Sequence, residues 1–167
     1  KFIQKYIRLQ QLSFFSCVFQ DPTFLPALAA EFSKNTANIL SLDFAPISRE
    51  EIIPFLTTQS LEILSLRGVQ TITSYDYKTH ESKPFPRSLN LFCNSLIQSP
   101  LRVLNLFDCH IGDDGAISIA TALMFNSTLQ CLSLVKNKIG DKGAIALSRV
   151  LSKYVLDERE IQIVDVL

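Results

Sequence analysis

The feature that most constrains this chain is an internal repeat with a period of 28 residues: the stretch that begins at Leu101 matches the stretch that begins at Leu129. The matching residues of the first stretch are Leu101, Leu104, Leu106, Ile111, Gly112, Asp113, Gly115, Ala116, Ile117 and Leu123, and their equivalents are Leu129, Leu132, Leu134, Ile139, Gly140, Asp141, Gly143, Ala144, Ile145 and Leu151. Self-similarity at a fixed period predicts a stack of like structural units rather than a single closed core.

The first part of each unit has the pattern of a strand that is buried on one face. Leu104 and Leu106 alternate with outward residues such as Phe107, as the two-residue period of a strand requires. Cys109 and Asn137 share the ninth position of their units, where the chain leaves the strand. We expect a small side chain to turn inward there and satisfy backbone groups of the loop.

The second part of each unit has the pattern of a helix that packs behind the strand. A Gly-Asp-x-Gly-Ala run follows each strand, with Asp113 and Asp141 as the expected N-caps. Gly115 and Gly143 are expected to allow close approach between helix and strand. The predicted inward stripes are Ile117, Ala120 and Leu123 in one helix and Ile145, Ser148 and Leu151 in the other.

The same frame can be followed along the rest of the chain, although less regularly. We predict one domain over 1–167, with units that start near residues 9, 37, 61, 101 and 129. Ile161 and Ile163 would begin a sixth unit, and both ends are expected to be cut from a longer chain.

The third unit carries an insertion, about 71–87, that should leave the repeat at its rim between the strand and the helix. It contains Tyr75, Tyr77, His80, Phe85 and two prolines, so we expect neither a regular helix nor a strand. The insertion is either a loop whose length is tolerated or a clip for a partner.

The segment from Leu101 to Tyr154 resembles the ribonuclease-inhibitor-like class of leucine-rich repeats. The resemblance implies an α/β solenoid: a right-handed βα arc with a parallel sheet on its concave face and helices on its convex face. Relatives in this class include the inhibitor itself, the GTPase-activating protein for Ran, sensor domains of intracellular immune receptors, actin-capping regulators, and axonemal and centrosomal scaffolds. The resemblance implies protein binding without choosing among them.

The outward strand side chains, here called the concave face, form three files when the five units are stacked. These files are Gln11, Ile39, Ile63, Val103 and Cys131; Ser13, Ser41, Ser65, Asn105 and Ser133; and Phe15, Asp43, Arg67, Phe107 and Val135. Apolar side chains are unusual on a water-facing strand surface, so we predict a partner-binding surface. Its candidate residues are Phe15, Ile39, Ile63, Arg67, Val103, Phe107, Cys131 and Val135. Phe15 and Phe107 are the expected anchors. Cover by another segment of the same polypeptide is the alternative.

Composition argues against several other classes of function. Sixteen basic and sixteen acidic residues give zero formal net charge, so there is no electrostatic footprint for nucleic acid or an anionic membrane. No apolar run approaches the roughly 20 residues of a membrane helix. The four cysteines are spread along the repeat, which favours free thiols in a reducing compartment over disulfides or zinc. The Asn126–Thr128 triplet is formally a glycosylation site, but a role in closing a turn explains it better.

No residue pattern indicates catalysis. His80 and His110 lack a nucleophile or metal ligand at a telling spacing, and Arg67 is expected to pair with Asp43 across the file. We predict a non-catalytic scaffold that binds other proteins in a large complex, without cofactor, metal, nucleic acid, membrane or small-molecule substrate. The predicted location is the cytoplasm, with the cytoskeleton or ciliary axoneme as the favoured setting. The alternatives are the ligand-sensing repeats of an immune-type receptor and, less favoured, a GTPase activator for a Ran-like GTPase.

Overall fold

The computed structural model describes residues 9–34, 36–69, 75–76, 81–82 and 87–151. The strands are β1 (Gln11–Phe15), β2 (Ile39–Asp43), β3 (Ile63–Ser65), β4 (Tyr75–Asp76), β5 (Glu81–Ser82), β6 (Val103–Asn105) and β7 (Cys131–Ser133). The helices are α1 (Phe24–Phe32), α2 (Arg49–Leu56), α3 (Arg87–Ile97), α4 (Gly112–Leu123) and α5 (Asp141–Leu151). Apart from β4 and β5, strand and helix alternate as the repeat predicts.

Five of the strands form one parallel sheet in the order β1-β2-β3-β6-β7. Each strand pairs with the next in the frame of the repeat, so that Leu40, Leu64 and Leu104 are directly aligned. All three are fully buried. A parallel neighbour can be reached only by a crossover, and here each crossover includes one helix. The structure is therefore an α/β solenoid.

The helices pack on one another in chain order, and the core lies between them and the sheet. In α4 the inward residues are Ala116, Ile119 and Ala120, whereas Ile117 is 39% exposed. The predicted stripe was therefore wrong at Ile117. In α5 it was wrong at all three positions, because Ile145 is 56% exposed, Leu151 is 89% exposed and Ser148 is also exposed. The reason is that the stripe starts one residue earlier, and one residue turns a helix by about 100°.

The predicted N-caps were also wrong in detail. Asp113 lies inside the first turn of α4, whose N-cap is Ile111, and it caps the next helix instead. Its Oδ1 accepts hydrogen bonds from the backbone N–H of Gly140 (2.7 Å) and of Gly143 (3.0 Å). The carboxylate thus joins the fourth unit to the fifth at the amino end of α5.

The insertion of the third unit leaves the repeat between β3 and α3, as expected, but part of it is regular. β4 and β5 pair antiparallel, with Tyr75 opposite Ser82. The expectation of no strand was wrong because the two prolines follow β5 in the sequence instead of interrupting it. Tyr77, His80, Phe85 and the predicted sixth strand at Ile161 and Ile163 lie outside the described residues.

Among the helices of the described ranges, none combines the length and the apolar character that crossing a bilayer requires.

Candidate functional site

The sheet register brings the residues of the concave face together in the files that the repeat predicts. Gln11 pairs with Ile39, Ile39 with Ile63, Ile63 with Val103, and Val103 with Cys131. The second file is aligned in the same way, from Ser13 through Ser41, Ser65 and Asn105 to Ser133. In the third file, the strand register pairs Phe15 with Asp43.

Beyond the strand ends, the third file is held by a ladder of backbone hydrogen bonds. In each case the N–H of the eighth residue of a unit donates to the carbonyl of the seventh residue of the next unit. The bonds run from Ser16 to Asp43 (2.8 Å), Phe44 to Arg67 (2.6 Å), Gly68 to Phe107 (2.8 Å) and Asp108 to Val135 (2.9 Å). Arg67, Phe107 and Val135 therefore stay in line with Phe15 although their strands are shorter.

The eighth residue of every unit has a left-handed backbone. The φ values are 53° at Ser16, 55° at Phe44, 68° at Gly68, 56° at Asp108 and 60° at Lys136. This conformation is unfavourable for residues with a Cβ, by about 1–2 kcal/mol. The sequence carries no signal for this feature, because five different residue types occupy the position and only one of them is glycine.

At one end of the third file, two aromatic rings form a contact across neighbouring units. The rings of Phe15 and Phe44 have centroids 5.2 Å apart and are tilted by 56°. The ring of Phe44 also covers Gly68, where a Cβ would lie 2.2 Å from Cδ1 of that ring. The close approach of the ring thus requires glycine at position 68, and glycine also adopts the positive φ there without strain.

Asp43 does not form the ion pair with Arg67 that we expected. Its side chain is buried, and Oδ1 accepts hydrogen bonds from Oγ of Ser65 (2.7 Å) and from the backbone N–H of Arg67 (3.0 Å). The guanidinium of Arg67 extends to the next unit and lies over the ring of Phe107, 4.9 Å from its centroid. The carboxylate therefore organises the loop backbone, while the guanidinium belongs to the concave face.

Phe107 lies between two cations. Arg67 comes from the unit before it, and Nζ of Lys136, from the unit after it, lies 5.2 Å from the ring centroid. Cations are attracted to the face of an aromatic ring by its quadrupole. The strand alternation indicates Arg67 and Phe107 but not Lys136, because the eighth residue of a unit is not part of that alternation.

The apolar side chains of the concave face differ in exposure. Phe15 is 68% exposed and Val135 is 58% exposed, whereas Ile39, Ile63 and Val103 are half-buried between their neighbours. The surface available to a partner is therefore richest in the third file. Cys131 is exposed at the end of the first file.

The ninth position turns inward, as predicted. Oδ1 of Asn137 accepts from the backbone N–H of Cys109 (2.9 Å) and of Ile111 (3.3 Å), and Nδ2 donates to the carbonyl of Leu106 (2.6 Å). Cys109 is buried, and its Sγ is 3.0 Å from the carbonyl oxygen of Leu66. These contacts fix the loops that carry Phe107 and Lys136.

All four cysteines carry free thiols. Burial raises the pKa of Cys93 and of Cys109 to about 12, so both stay protonated at neutral pH. The thiolate is the nucleophile and the metal ligand, which makes these two sites chemically inert under those conditions.

Asn126 closes a turn, as the sequence favoured. Its Nδ2, the atom that would carry a glycan, donates to the carbonyls of Leu96 (2.7 Å) and Ser99 (3.3 Å). Its Oδ1 accepts from the backbone N–H of Leu129 (2.8 Å) at the start of the fifth unit.

A second apolar surface, which the sequence did not indicate, lies at the first unit. Phe14, Phe19 and Phe24 pack together, with the rings of Phe19 and Phe24 stacked 4.9 Å apart. A cavity of about 440 Å³ beside them is lined by Val18, Phe19, Gln20, Asp21, Thr23, Phe24 and Ala27. Val18 is 69% exposed there.

Of the two histidines, His80 lies outside the described residues, and Nε2 of His110 lies 3.9 Å from Oδ1 of Asp108. Within the described part of the chain, no group of three or more His, Cys, Asp or Glu side chains is placed to hold a metal ion.

Comparison with known proteins supports the architecture. The family described as "Leucine Rich repeat" matches residues 98–120 and 125–148, which contain the two most similar units. No curated protein matches the sequence significantly.

A solved structure of the tropomodulin C-terminal domain from Caenorhabditis elegans is similar, with a TM-score of 0.58. The likeness covers 95% of this chain and 87% of that chain at 14% sequence identity, so it concerns the fold alone. The repeat match, the parallel sheet and the shared fold together show that this chain has the fold of a leucine-rich-repeat solenoid.

Proposed function

We propose that this protein is a non-catalytic scaffold that holds another protein against its concave face. The observation that carries the proposal is the third file, where Phe15 and Val135 remain exposed at 68% and 58% while Phe107 lies between two cations. Aromatic residues and arginine are the side chains most enriched where protein interfaces gain their energy. Leucine-rich-repeat domains serve as protein-interaction modules.

The proposed setting is a cytoskeletal assembly in the cytoplasm, with the ciliary axoneme as one such assembly. The unit starts are separated by 28, 24, 40 and 28 residues, and the third unit carries an inserted hairpin. Such irregular lengths suit a fixed architectural site better than a regular sensor array. Actin-capping regulators and axonemal scaffolds are among the relatives of this repeat class, so the resemblance is compatible with this setting.

The test is affinity capture of the full-length protein from its native cells, followed by mass spectrometry. The wild type is compared with the double variant Phe15→Asp and Phe107→Asp, which places carboxylates in the third file. The matched control is Ile117→Asp with Ile145→Asp, two exposed positions on α4 and α5. Circular dichroism establishes that each variant is folded.

Loss of a defined set of proteins with the first variant but not with the control supports the proposal. An unchanged set with a folded first variant contradicts it and transfers binding to another surface. The cytoskeletal setting is tested separately, by asking whether the full-length protein remains in the detergent-insoluble fraction of its cells. A fully detergent-soluble protein would contradict that setting and leave the binding surface unaffected.

A further inference from the structure

We propose that the segment bound on the concave face is acidic and extended, with two carboxylates that pair with Arg67 and Lys136 on either side of Phe107. This inference rests on the proposed function and adds the chemistry of the partner. The site consists of Arg67, Phe107, Val135 and Lys136, here called the cationic cleft.

Both cations of the cationic cleft are available to a ligand. Within the described residues, neither Arg67 nor Lys136 has a carboxylate oxygen within 4.0 Å. Each lies over the same ring, which contacts the cation without consuming its N–H donors. A guanidinium in this position presents a rigid donor edge that matches a carboxylate.

Two acidic residues near the cleft, Asp43 and Asp108, do not pair with its cations. Asp43 is only 9% exposed and accepts from the Ser65 hydroxyl and the Arg67 backbone N–H. Asp108 follows Phe107, and its Oδ1 lies 3.9 Å from Nε2 of His110. Within the described residues, both cations of the cleft therefore lack a carboxylate partner, although the protein as a whole has no formal net charge.

The geometry also limits the spacing of the carboxylates. Since both cations lie within 5.2 Å of one ring centroid, they are at most about 10 Å apart. An extended chain rises about 3.3 Å per residue and alternates its side chains between two faces, so acidic side chains two residues apart share a face and fit this separation. A helical or globular acidic surface is not required.

The apolar neighbours of the cleft define the rest of the segment. Val135 continues the third file on one side, and the Phe15–Phe44 pair lies at the other end of the same file. We therefore expect an apolar residue beside the acidic pair, because contact with these exposed side chains removes apolar surface from water.

The experiment selects ligands for the full chain from a displayed library of random 12-residue peptides and reads the selected sequences. Four proteins are compared: the wild type, Arg67→Glu with Lys136→Glu, Phe15→Asp with Phe107→Asp, and a control with Lys34→Glu and Lys142→Glu. The control reverses two exposed charges outside the cationic cleft. Circular dichroism checks folding, and the neutral pair Arg67→Gln with Lys136→Gln replaces the charge reversal if that variant does not fold.

The expected result is enrichment of peptides with two acidic residues two positions apart. Their affinity should fall at least tenfold on charge reversal, weaken with added salt, and stay unchanged in the control. A different result would be selected peptides that show no preference for acidic residues and that stop binding only to the Phe15→Asp, Phe107→Asp variant. That result would overturn this inference but would be consistent with the proposed function. Enrichment of basic peptides, or no enrichment of any peptide, would also overturn the inference. The proposed function would still be decided by the affinity capture from native cells.

Discussion

The fourth and fifth units share a sequence pattern but not an environment. In the fourth unit Leu104, Leu106, Ala116 and Ile119 are fully buried. Their equivalents in the fifth unit are less so: Leu132, Leu134 and Leu147 are half-buried and Ala144 is exposed. The fourth unit is packed between the third and the fifth, whereas in the described part of the chain the fifth is packed only against the fourth. Equivalent residues of the two units should therefore contribute unequally to the free energy of unfolding, because a solenoid buries each unit against its neighbours.

The largest effect is expected from truncating a core leucine. Leu104→Ala should lower the free energy of unfolding by about 3–4 kcal/mol, since it leaves a cavity in a fully packed site. The equivalent Leu132→Ala should cost about 1–2 kcal/mol, because that side chain is already partly in water. Urea denaturation of both variants measures the difference. Equal costs would mean that the two units are equally packed and would break the comparison.

The next largest effect on stability distinguishes the residues at the ninth position of two units, Asn137 and Cys109. Asn137→Ala should cost about 2–3 kcal/mol, since it leaves the N–H of Cys109 and the carbonyl of Leu106 without their partner inside the protein. Cys109→Ala should cost about 1 kcal/mol, because a thiol is a weak donor. Thermal and urea unfolding report both. A smaller loss of stability for Asn137→Ala than for Cys109→Ala would contradict the role assigned to the asparagine.

A third, smaller effect distinguishes the two equivalent helix glycines. At Gly143 an added Cβ would lie 2.7 Å from Cγ2 of Ile139, 2.8 Å from Oδ1 of Asp113 and 2.9 Å from Cβ of Ala116. At Gly115 the one contact under 3 Å is 2.6 Å, to Cγ2 of Ile111.

We expect Gly143→Ala to destabilise by about 1–2 kcal/mol despite its gain in helix propensity. Gly115→Ala should cost less, about 0.5 kcal/mol, because only Cγ2 of the buried Ile111 must shift and the gain in helix propensity offsets part of that strain. Chemical denaturation of the two single variants is the measurement. The glycine at 143 thus permits close approach of α4 and the preceding loop, where we had expected approach to a strand, and a neutral Gly143→Ala would refute that assignment.

The smallest effect concerns the cap between the units. Asp113→Ala should cost about 1 kcal/mol, because its carboxylate accepts two N–H groups at the start of α5. Asp141→Ala should cost a few tenths of a kcal/mol, through the helix dipole alone. Hydrogen exchange in the first turn of α5 should rise with the first variant only. Faster exchange with Asp141→Ala would reverse the assignment of the cap.

Local features could be predicted from the sequence at positions where a single physical requirement selects the residue type. The alternation of Leu104 and Leu106 predicted a strand with one buried face, and the small polar Asn137 predicted an inward turn; both are confirmed. The files of the concave face could be predicted because register in a repeat is set by the period. Their role as a binding surface stays a prediction.

Other features could not be predicted because they depend on contacts between units. The left-handed eighth residue has no common residue type, so Phe44 and Lys136 were missed as part of the concave face. The guanidinium of Arg67 lies over the ring of Phe107 and does not pair with the carboxylate of Asp43. That carboxylate accepts a hydrogen bond from the backbone N–H of Arg67 instead. The cap formed by Asp113 joins two helices, and a pattern within one unit cannot indicate it.

By itself, then, the sequence determined the architecture: repeated leucines at strand spacing and a repeated helix start can be satisfied together only by stacked strand–helix units. The tertiary structure alone decided which of two identical patterns is fully buried, which helix an aspartate caps, and where two cations meet one aromatic ring. The physical reason is the distance along the chain over which each interaction acts. Alternation and turn chemistry act within a few residues of the chain, whereas burial, capping and cation–π contact arise between units about 28 residues apart.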